Sequence, residues 1–232
     1  MRWCVPMTKG LFVTATGTDV GKTYITALLL KTLRKAGYQA GYYKAALSGA
    51  EVTAQGMVPG DAAYVCRTAG IPENPRDVVS YCYQAAVSPH LAARWEGNPP
   101  ELSRIQSHYQ ELARRYACLT VEGSGGILCP LRYDETRLML EDVVQLLQLP
   151  VLIVADAKLG SINAAGLTVA YLRQKEIPIS GIILNRFQAG DAMEEDNRQM
   201  IVELTGVPVL DTVGEGEQAL HLTAEEILAL YA

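Results

Sequence analysis

The chain has few of the features that mark a secreted, metal-stapled or membrane-embedded protein. Its five cysteines, Cys4, Cys66, Cys82, Cys118 and Cys129, are odd in number and include no close Cys-x-x-Cys pair. A chain of 232 residues with 49% hydrophobic content buries a core without disulfides, so reduced thiols are expected. The three histidines, His90, His108 and His221, are too far apart in sequence for zinc-ligand spacing. No run approaches the roughly 20 apolar residues of a membrane span, and residues 1–7 are too short and broken for a signal peptide. There is no excess of basic charge: the net charge is −5, which argues against nucleic acid as a partner. Repeats, low-complexity tracts and linker-like breaks are also missing. What remains is a cytoplasmic protein of one domain over residues 1–232, with residues 1–9 expected to be loose.

The chain is organised around Thr14-Ala15-Thr16-Gly17-Thr18-Asp19-Val20-Gly21-Lys22-Thr23. An apolar run, Leu11-Phe12-Val13, precedes it and reads as a buried strand. Ile25, Leu28, Leu29, Leu33 and Ala36 follow at helical spacing, with Gly37 as a stop. A strand, a glycine-containing loop, Gly-Lys-Thr and a helix make a phosphate site. Loop N–H groups and the positive helix end face the anion, Lys22 reaches the β/γ-phosphates, and the Thr23 hydroxyl binds Mg²⁺. The generic pattern places glycine five residues before Gly21, where this chain has Thr16. A plain strand-to-helix turn leaves Lys22 unexplained, because a cation at a helix N-terminus is unfavourable without an anion.

Further strands are expected at Ala40 to Lys44, Cys118 to Val121, Pro150 to Ala155, Ile179 to Leu184 and Pro208 to Leu210. Between them lie a small-residue loop from Ala45 to Gly60, a short helix after Asp61 and an irregular stretch from Ile71 to Pro100. Within that stretch, a Ser88-capped, Pro89-led helix runs to Trp95. Helical periodicity marks Leu102 to Tyr116, Leu140 to Leu147, a Ser161-capped segment to Lys175, and Ala192 to Leu204. Thr223 caps a last helix. This alternation predicts an α/β fold of the P-loop NTPase type, a mostly parallel sheet covered by helices on both faces.

Ligands of such sheets bind beyond the carboxyl ends of the strands. The segments there are Thr16 to Thr23, Lys44 to Ser48, Glu122 to Gly126, Asp156 to Asn163, and Asn185-Arg186. Mg²⁺ takes oxygen ligands, commonly one or two carboxylates with phosphate and water. Glu122, Asp61 and Asp156 are all candidates by position, and Glu122 is favoured by the glycines that follow it. Lys44, at a strand end, can point into the site. Ser88-Pro89-His90 is explained by helix capping, and Cys129 by packing.

An ordered set of motifs gives a specific resemblance. It comprises Thr-Gly-Thr-Asp-Val-Gly-Lys-Thr at 16–23, Tyr43-Lys44 followed by Ser48-Gly49, Gly60-Asp61-Ala62 and Ser88-Pro89-His90. It continues with Val121-Glu122-Gly123-Ser124-Gly125-Gly126, Lys158-Leu159-Gly160-Ser161-Ile162-Asn163 and Leu184-Asn185. Across about residues 10 to 214 the chain resembles the dethiobiotin synthetases. The resemblance implies a homodimeric ATP- and Mg²⁺-dependent ligase of biotin synthesis, closing a cyclic urea from 7,8-diaminononanoate and CO₂. By motif position it makes Lys44 and Lys22 catalytic and Thr23, Asp61 and Glu122 the metal ligands. It assigns nucleotide contacts to Asp19, Val20, Gly21, Lys22 and Thr23, to Asp61, and to Glu122, Gly123, Ser124 and Gly125. Asn185 with Arg186, and Thr212, Val213 and Gly214, would approach the adenine. Thr18, Ser48, Gly160, Ser161, Ile162 and Asn163 would hold the diamine, the last four across a dimer interface through a helix N-terminus.

The chain departs from the resemblance at three positions. Ala15 stands where many members have glycine, Ser124 where many have alanine, and Arg186 where some have aspartate. Ala15 fits if its φ is negative. Two other readings share parts of the pattern. Cobyrinate-type amidating synthetases are expected to carry a further glutaminase domain. Partition and septum-positioning ATPases carry an additional lysine early in the loop, where Gly17 stands. The last helix, with Glu225 and Glu226 and no Lys or Arg, makes a poor membrane anchor.

Overall fold

In a computed structural model, residues 8–54 and 56–232 are described. The elements in chain order are β1 (Lys9–Ala15), α1 (Lys22–Lys35), β2 (Ala40–Leu47), β3 (Glu51–Thr53), β4 (Gly56–Val58) and α2 (Gly60–Ala69). After a 3₁₀ turn at Pro75–Val78 come β5 (Val79–Cys82), α3 (Pro89–Trp95), α4 (Leu102–Ala113), β6 (Cys118–Glu122), β7 (Pro130–Tyr133) and β8 (Arg137–Met139). The remainder is α5 (Leu140–Leu147), β9 (Val151–Asp156), α6 (Ser161–Gln174), β10 (Ile179–Asn185), α7 (Ala192–Thr205), β11 (Val209–Val213) and α8 (Ala224–Leu228).

Seven strands form one sheet in the order β11-β10-β9-β1-β6-β2-β5, and every pairing in it is parallel. Parallel sheets are covered on both faces, so their strands are apolar throughout. Phe12, Val13, Leu152, Ile153, Ile182 and Ile183 accordingly have no exposed surface. Alternate residues of β2 show the two layers. Tyr42 and Lys44 both bond Glu122, and Lys44 also reaches Asp61 of α2, while Tyr43 donates to the Ile105 carbonyl of α4 on the other face. The P-loop-type α/β architecture read from the sequence is therefore the one observed.

Several boundaries differ from expectation. β2 does not stop at Lys44 but runs to Leu47, because pairing with β5 carries the small residues Ala45 and Ala46 in extended form. The Ala45–Gly60 loop contains the β3–β4 hairpin. The stretch read as irregular supplies the edge strand β5. Ser161 does not cap α6: Gly160 is the N-cap in left-handed conformation, and Ser161 is the first helical residue. Asp61 sits in the first turn of α2 behind Pro59. Ser88 holds the cap position before Pro89 without a side-chain cap bond, and Thr223 caps α8 in a capping box with Glu226.

Of the residues expected to be loose, 1–7 lie outside the described residues. Thr8 and Lys9 are held, by a Thr8 hydroxyl bond to the Tyr116 carbonyl at 2.9 Å and by pairing of Lys9 with Cys118. Among the described residues no helix is long and apolar enough to cross a membrane.

Candidate active site

The strand order puts the carboxyl ends of β1, β6 and β2 side by side, and a cleft of about 1060 Å³ opens there. Thr18, Asp19, Gly21, Lys22, Thr23, Lys44, Ser48, Asp61, Ser124, Gly125 and Arg186, all expected site residues, line it. Parallel register places Lys44 beside Glu122, and Val13 on the far side of Glu122. Glu122 is thus delivered beneath the cleft lining, where it bonds Lys22, Thr23 and Lys44 at the base of the phosphate loop.

One carboxylate oxygen gathers the chemistry. Glu122 Oε1 accepts from Lys44 Nζ at 2.7 Å, Thr23 Oγ1 at 2.7 Å and Lys22 Nζ at 3.3 Å. Its Oε2 accepts from the Tyr42 hydroxyl at 3.0 Å. Lys44 Nζ also reaches Asp61 Oδ2 at 2.6 Å. Glu122 is 1% exposed and Lys44 2%, so these charges are satisfied by one another. Burial alone would push the Glu122 carboxyl up, but the Lys44 and Lys22 ammoniums and the Lys44 and Thr23 hydrogen bonds hold it down at about 2. Burial acts against the charged form of Lys44, yet Glu122 and Asp61 outweigh it and its pKa is raised. Lys22 is held below the ordinary lysine value by burial and by the Lys44 ammonium. Burial and the Glu122 charge keep Tyr42 protonated, fixed as a donor.

Tyr42 was not singled out from the sequence. The signal was its two-residue spacing from Lys44, which puts both side chains on one face of β2. Asp156, the third carboxylate considered for a metal, turns elsewhere: it pairs with Arg186 at 3.1 Å. Cys129 lines the cleft wall, and burial raises its thiol to about 11, so it is a protonated packing group.

The phosphate loop resolves the irregular glycine pattern. Ala15 is the last residue of β1 and is not among the left-handed residues. The left-handed positions are Asp19 (φ 60°) and Gly21 (φ 91°). A Cβ on Gly21 would overlap Asn185 Nδ2, which donates to the Val20 carbonyl at 2.9 Å. Asn185 and Val20 therefore brace the loop. The remaining expected residues lie away from the cleft lining. Gly123 is packed against Phe12 and Leu140. Thr212 and Val213 are in β11, and the Gly214 N–H bonds Glu217 at 2.8 Å. Gly160 to Asn163 open α6 outside this single-chain cleft.

A Gly-Lys-Thr loop between β1 and α1, with a buried carboxylate at its base, defines an ATPase of the P-loop class. A match to the AAA domain family covers residues 9–220. The chain belongs to the ATP-dependent dethiobiotin synthetase family. It is 46% identical to the ATP-dependent dethiobiotin synthetase BioD of Brachyspira hyodysenteriae, over 97% of this chain and 100% of that protein. It is 41% identical to the enzyme of the same name from Clostridium botulinum Eklund 17B, over 97% and 99%. Solved structures share the fold: a ParA family ATPase from Chlorobium tepidum has TM-score 0.57 and 17% identity, covering 96% of this chain and 89% of that one. The MinC:MinD cell division complex of Aquifex aeolicus gives TM-score 0.56 at 15% identity, covering 91% and 83%. At such identities the likeness speaks for architecture alone.

Proposed function

We propose that this chain catalyses ATP-dependent formation of dethiobiotin from 7,8-diaminononanoate and CO₂ in the cytoplasm, as a homodimer using Mg²⁺. The observation that carries the reading is the Lys44 ammonium, buried between two carboxylates and facing the phosphate loop. Two anions must meet in this reaction, a carbamate formed on one amine of the substrate and the γ-phosphoryl group of ATP. Lys22 and Lys44 offset their repulsion and are pre-set to do so, since Glu122, Asp61 and Tyr42 hold them in place before substrate arrives. The carbamate oxygen attacks the γ-phosphorus and ADP leaves. The second amine then attacks the resulting carbonyl carbon, closes the ring and releases phosphate. The substrate brings both nucleophiles, so no serine or cysteine nucleophile is needed.

Asp61 Oδ2 and Glu122 Oε1 flank a cation, the Lys44 ammonium, and the Thr23 hydroxyl donates to the same Glu122 oxygen at 2.7 Å. That hard-oxygen donor set suits Mg²⁺. When bound, Mg²⁺ would supply positive charge against the triphosphate that two lysines balanced by two carboxylates do not provide. Thr18 and Ser48 line the same cleft on the diamine side. Asn185, Arg186 and Thr212 to Gly214 would approach the adenine. Gly160 to Asn163, at the N-terminus of α6, would hold the substrate carboxylate of the partner's site. Leu159, 87% exposed next to Gly160, and Leu167, exposed on α6 itself, support a covered surface there.

The test is ADP release from ATP with bicarbonate, with and without 7,8-diaminononanoate. Diamine-dependent release with a cyclic urea product is expected. Turnover indifferent to the diamine overturns the assignment.

A further inference from the structure

Arg186 is engaged at both ends of its guanidinium by groups of this chain. Nη2 donates to the Asp19 carbonyl in the phosphate loop at 2.7 Å, and Nη1 donates to Asp156 Oδ2 at 3.1 Å. The other oxygen of Asp156 accepts from the Lys158 N–H at 3.2 Å. The Lys158 carbonyl in turn accepts from the Ser161 N–H at 3.0 Å, the first residue of α6. From behind, the buried Asn197 amide of α7 donates to the Ala157 and Lys158 carbonyls at 2.9 and 3.3 Å. Both loop-side residues of this chain of contacts, Asp19 and Arg186, are non-glycine residues in left-handed conformation, at φ 60° and 58°. Such conformations persist where surrounding contacts over-determine them.

We propose that Arg186 is a positioning residue which, with Asp156 as its counter-ion, ties the phosphate loop to the turn that opens α6. The nucleotide subsite and the carboxylate subsite are thereby held in one register. Three features support this. The bonds are continuous from Asp19 to Ser161. Asn185, the neighbour of Arg186, grips the adjoining loop carbonyl of Val20, so two consecutive residues of β10 and its end clamp two consecutive loop carbonyls. And Asp156, at the end of a central strand, is turned to Arg186 instead of to Lys22 or Lys44. The carboxylate half of the proposal rests on the dethiobiotin synthetase reading; the nucleotide half rests on the loop alone.

The experiment compares wild type, Asp156→Asn, Arg186→Ala, Arg186→Lys and the Asp156→Asn/Arg186→Ala double variant. Calorimetry with Mg²⁺ and a non-hydrolysable ATP analogue, without diamine, reads the loop. The KM for 7,8-diaminononanoate at saturating ATP reads the α6 turn. Each single variant is expected to weaken both by about three- to tenfold, the range of a half-exposed pair, with kcat falling less than KM rises. The double variant is expected to be no weaker than the poorer single, because both changes cut one connection. Arg186→Lys, which cannot span both partners, is expected to behave as Arg186→Ala for one substrate and recover part of the other. Wild-type nucleotide affinity in Asp156→Asn and Arg186→Lys, or effects that add in full, overturns the coupling. Absence of diamine-dependent turnover in wild type instead removes the substrate reading and leaves the calorimetric arm to decide the loop.

Discussion

Replacing Glu122 by glutamine keeps its shape and removes the charge around which the cleft is built. The structure sets the size of the effect. Glu122 titrates at about 2 instead of the ordinary 4.5, a displacement equivalent to about 3 kcal/mol of stability. The sign follows from a depressed carboxyl: the contribution is complete above the unfolded value and is lost as pH falls through the folded one. Glu122→Gln should therefore be less stable than wild type by about 3 kcal/mol at pH 7. The gap should narrow to about 1 kcal/mol near pH 3, where much of the wild-type contribution has gone. For a domain of this size the neutral-pH difference corresponds to a Tm lower by about 6–12 °C. Urea unfolding followed by circular dichroism, in EDTA to exclude metal linkage, measures the difference across pH. Comparing the two proteins cancels the titrating groups remote from Glu122; Lys22, Lys44 and Tyr42, whose pKa values depend on its charge, stay protonated across the acid range compared. A gap below about 1 kcal/mol at pH 7, or one that does not shrink with acid, would refute ionised Glu122 as the shared partner of Lys22 and Lys44.

Lys44→Ala should lower turnover by about 10²–10³-fold while calorimetric nucleotide affinity stays within about threefold; near-normal turnover removes Lys44 from the chemistry. Tyr42→Phe leaves Glu122 Oε2 buried without its donor and should cost about 1–3 kcal/mol in urea unfolding; an unchanged midpoint would mean that water replaces the hydroxyl freely. Gly21→Ala places a Cβ against Asn185 at φ 91°, a backbone penalty of about 1–2 kcal/mol. Weakened ADP binding is expected, and wild-type affinity would refute the bracing of the loop by Asn185. The His221 imidazole, raised by its 2.8 Å hydrogen bond to Asp211, contributes stability that is complete below its unfolded pKa and fades as pH rises through the folded value. His221→Ala should thus lower Tm more at pH 6 than at pH 8.5, and equal losses at both would exclude that pair.

The sequence carried the central strands and the loop, and physical reasons separate these from what it hid. Leu11 to Val13 and Val151 to Ala155 are legible because a strand buried on both faces has to be apolar throughout. The edge strand β5 is four residues, Val79-Ser80-Tyr81-Cys82, set between prolines, and its extension is imposed by β2 and not by its own pattern. The end of β2 was hidden for the converse reason: Ala45 and Ala46 have weak strand preference, and pairing overrides it. Glu122, Asp61 and Asp156 all sit at element ends, where spacing cannot say which way a side chain turns. Arg186, thirty residues further on, decides it for Asp156 by offering a closer counter-charge, and Lys44 decides it for the other two.

The misplaced glycine of the phosphate loop follows from the same contacts. A loop that wraps an anion with consecutive N–H groups needs left-handed turns somewhere, and the generic pattern supplies glycine for them. Here those turns fall at Asp19 and Gly21, so Thr16 and Ala15 carry no conformational demand. Only at Gly21 is glycine compulsory on steric grounds, since any side chain would displace Asn185. At Asp19 the strain is smaller, because aspartate tolerates this region better than most residues, and the Arg186 guanidinium holds the carbonyl that the turn presents. The loop thus exchanges a free glycine for a residue fixed from outside. That exchange makes its geometry depend on Arg186 and Asp156, and gives the departure at position 186 a structural reason: an aspartate there would face the Asp156 carboxylate and leave the Asp19 carbonyl without its donor.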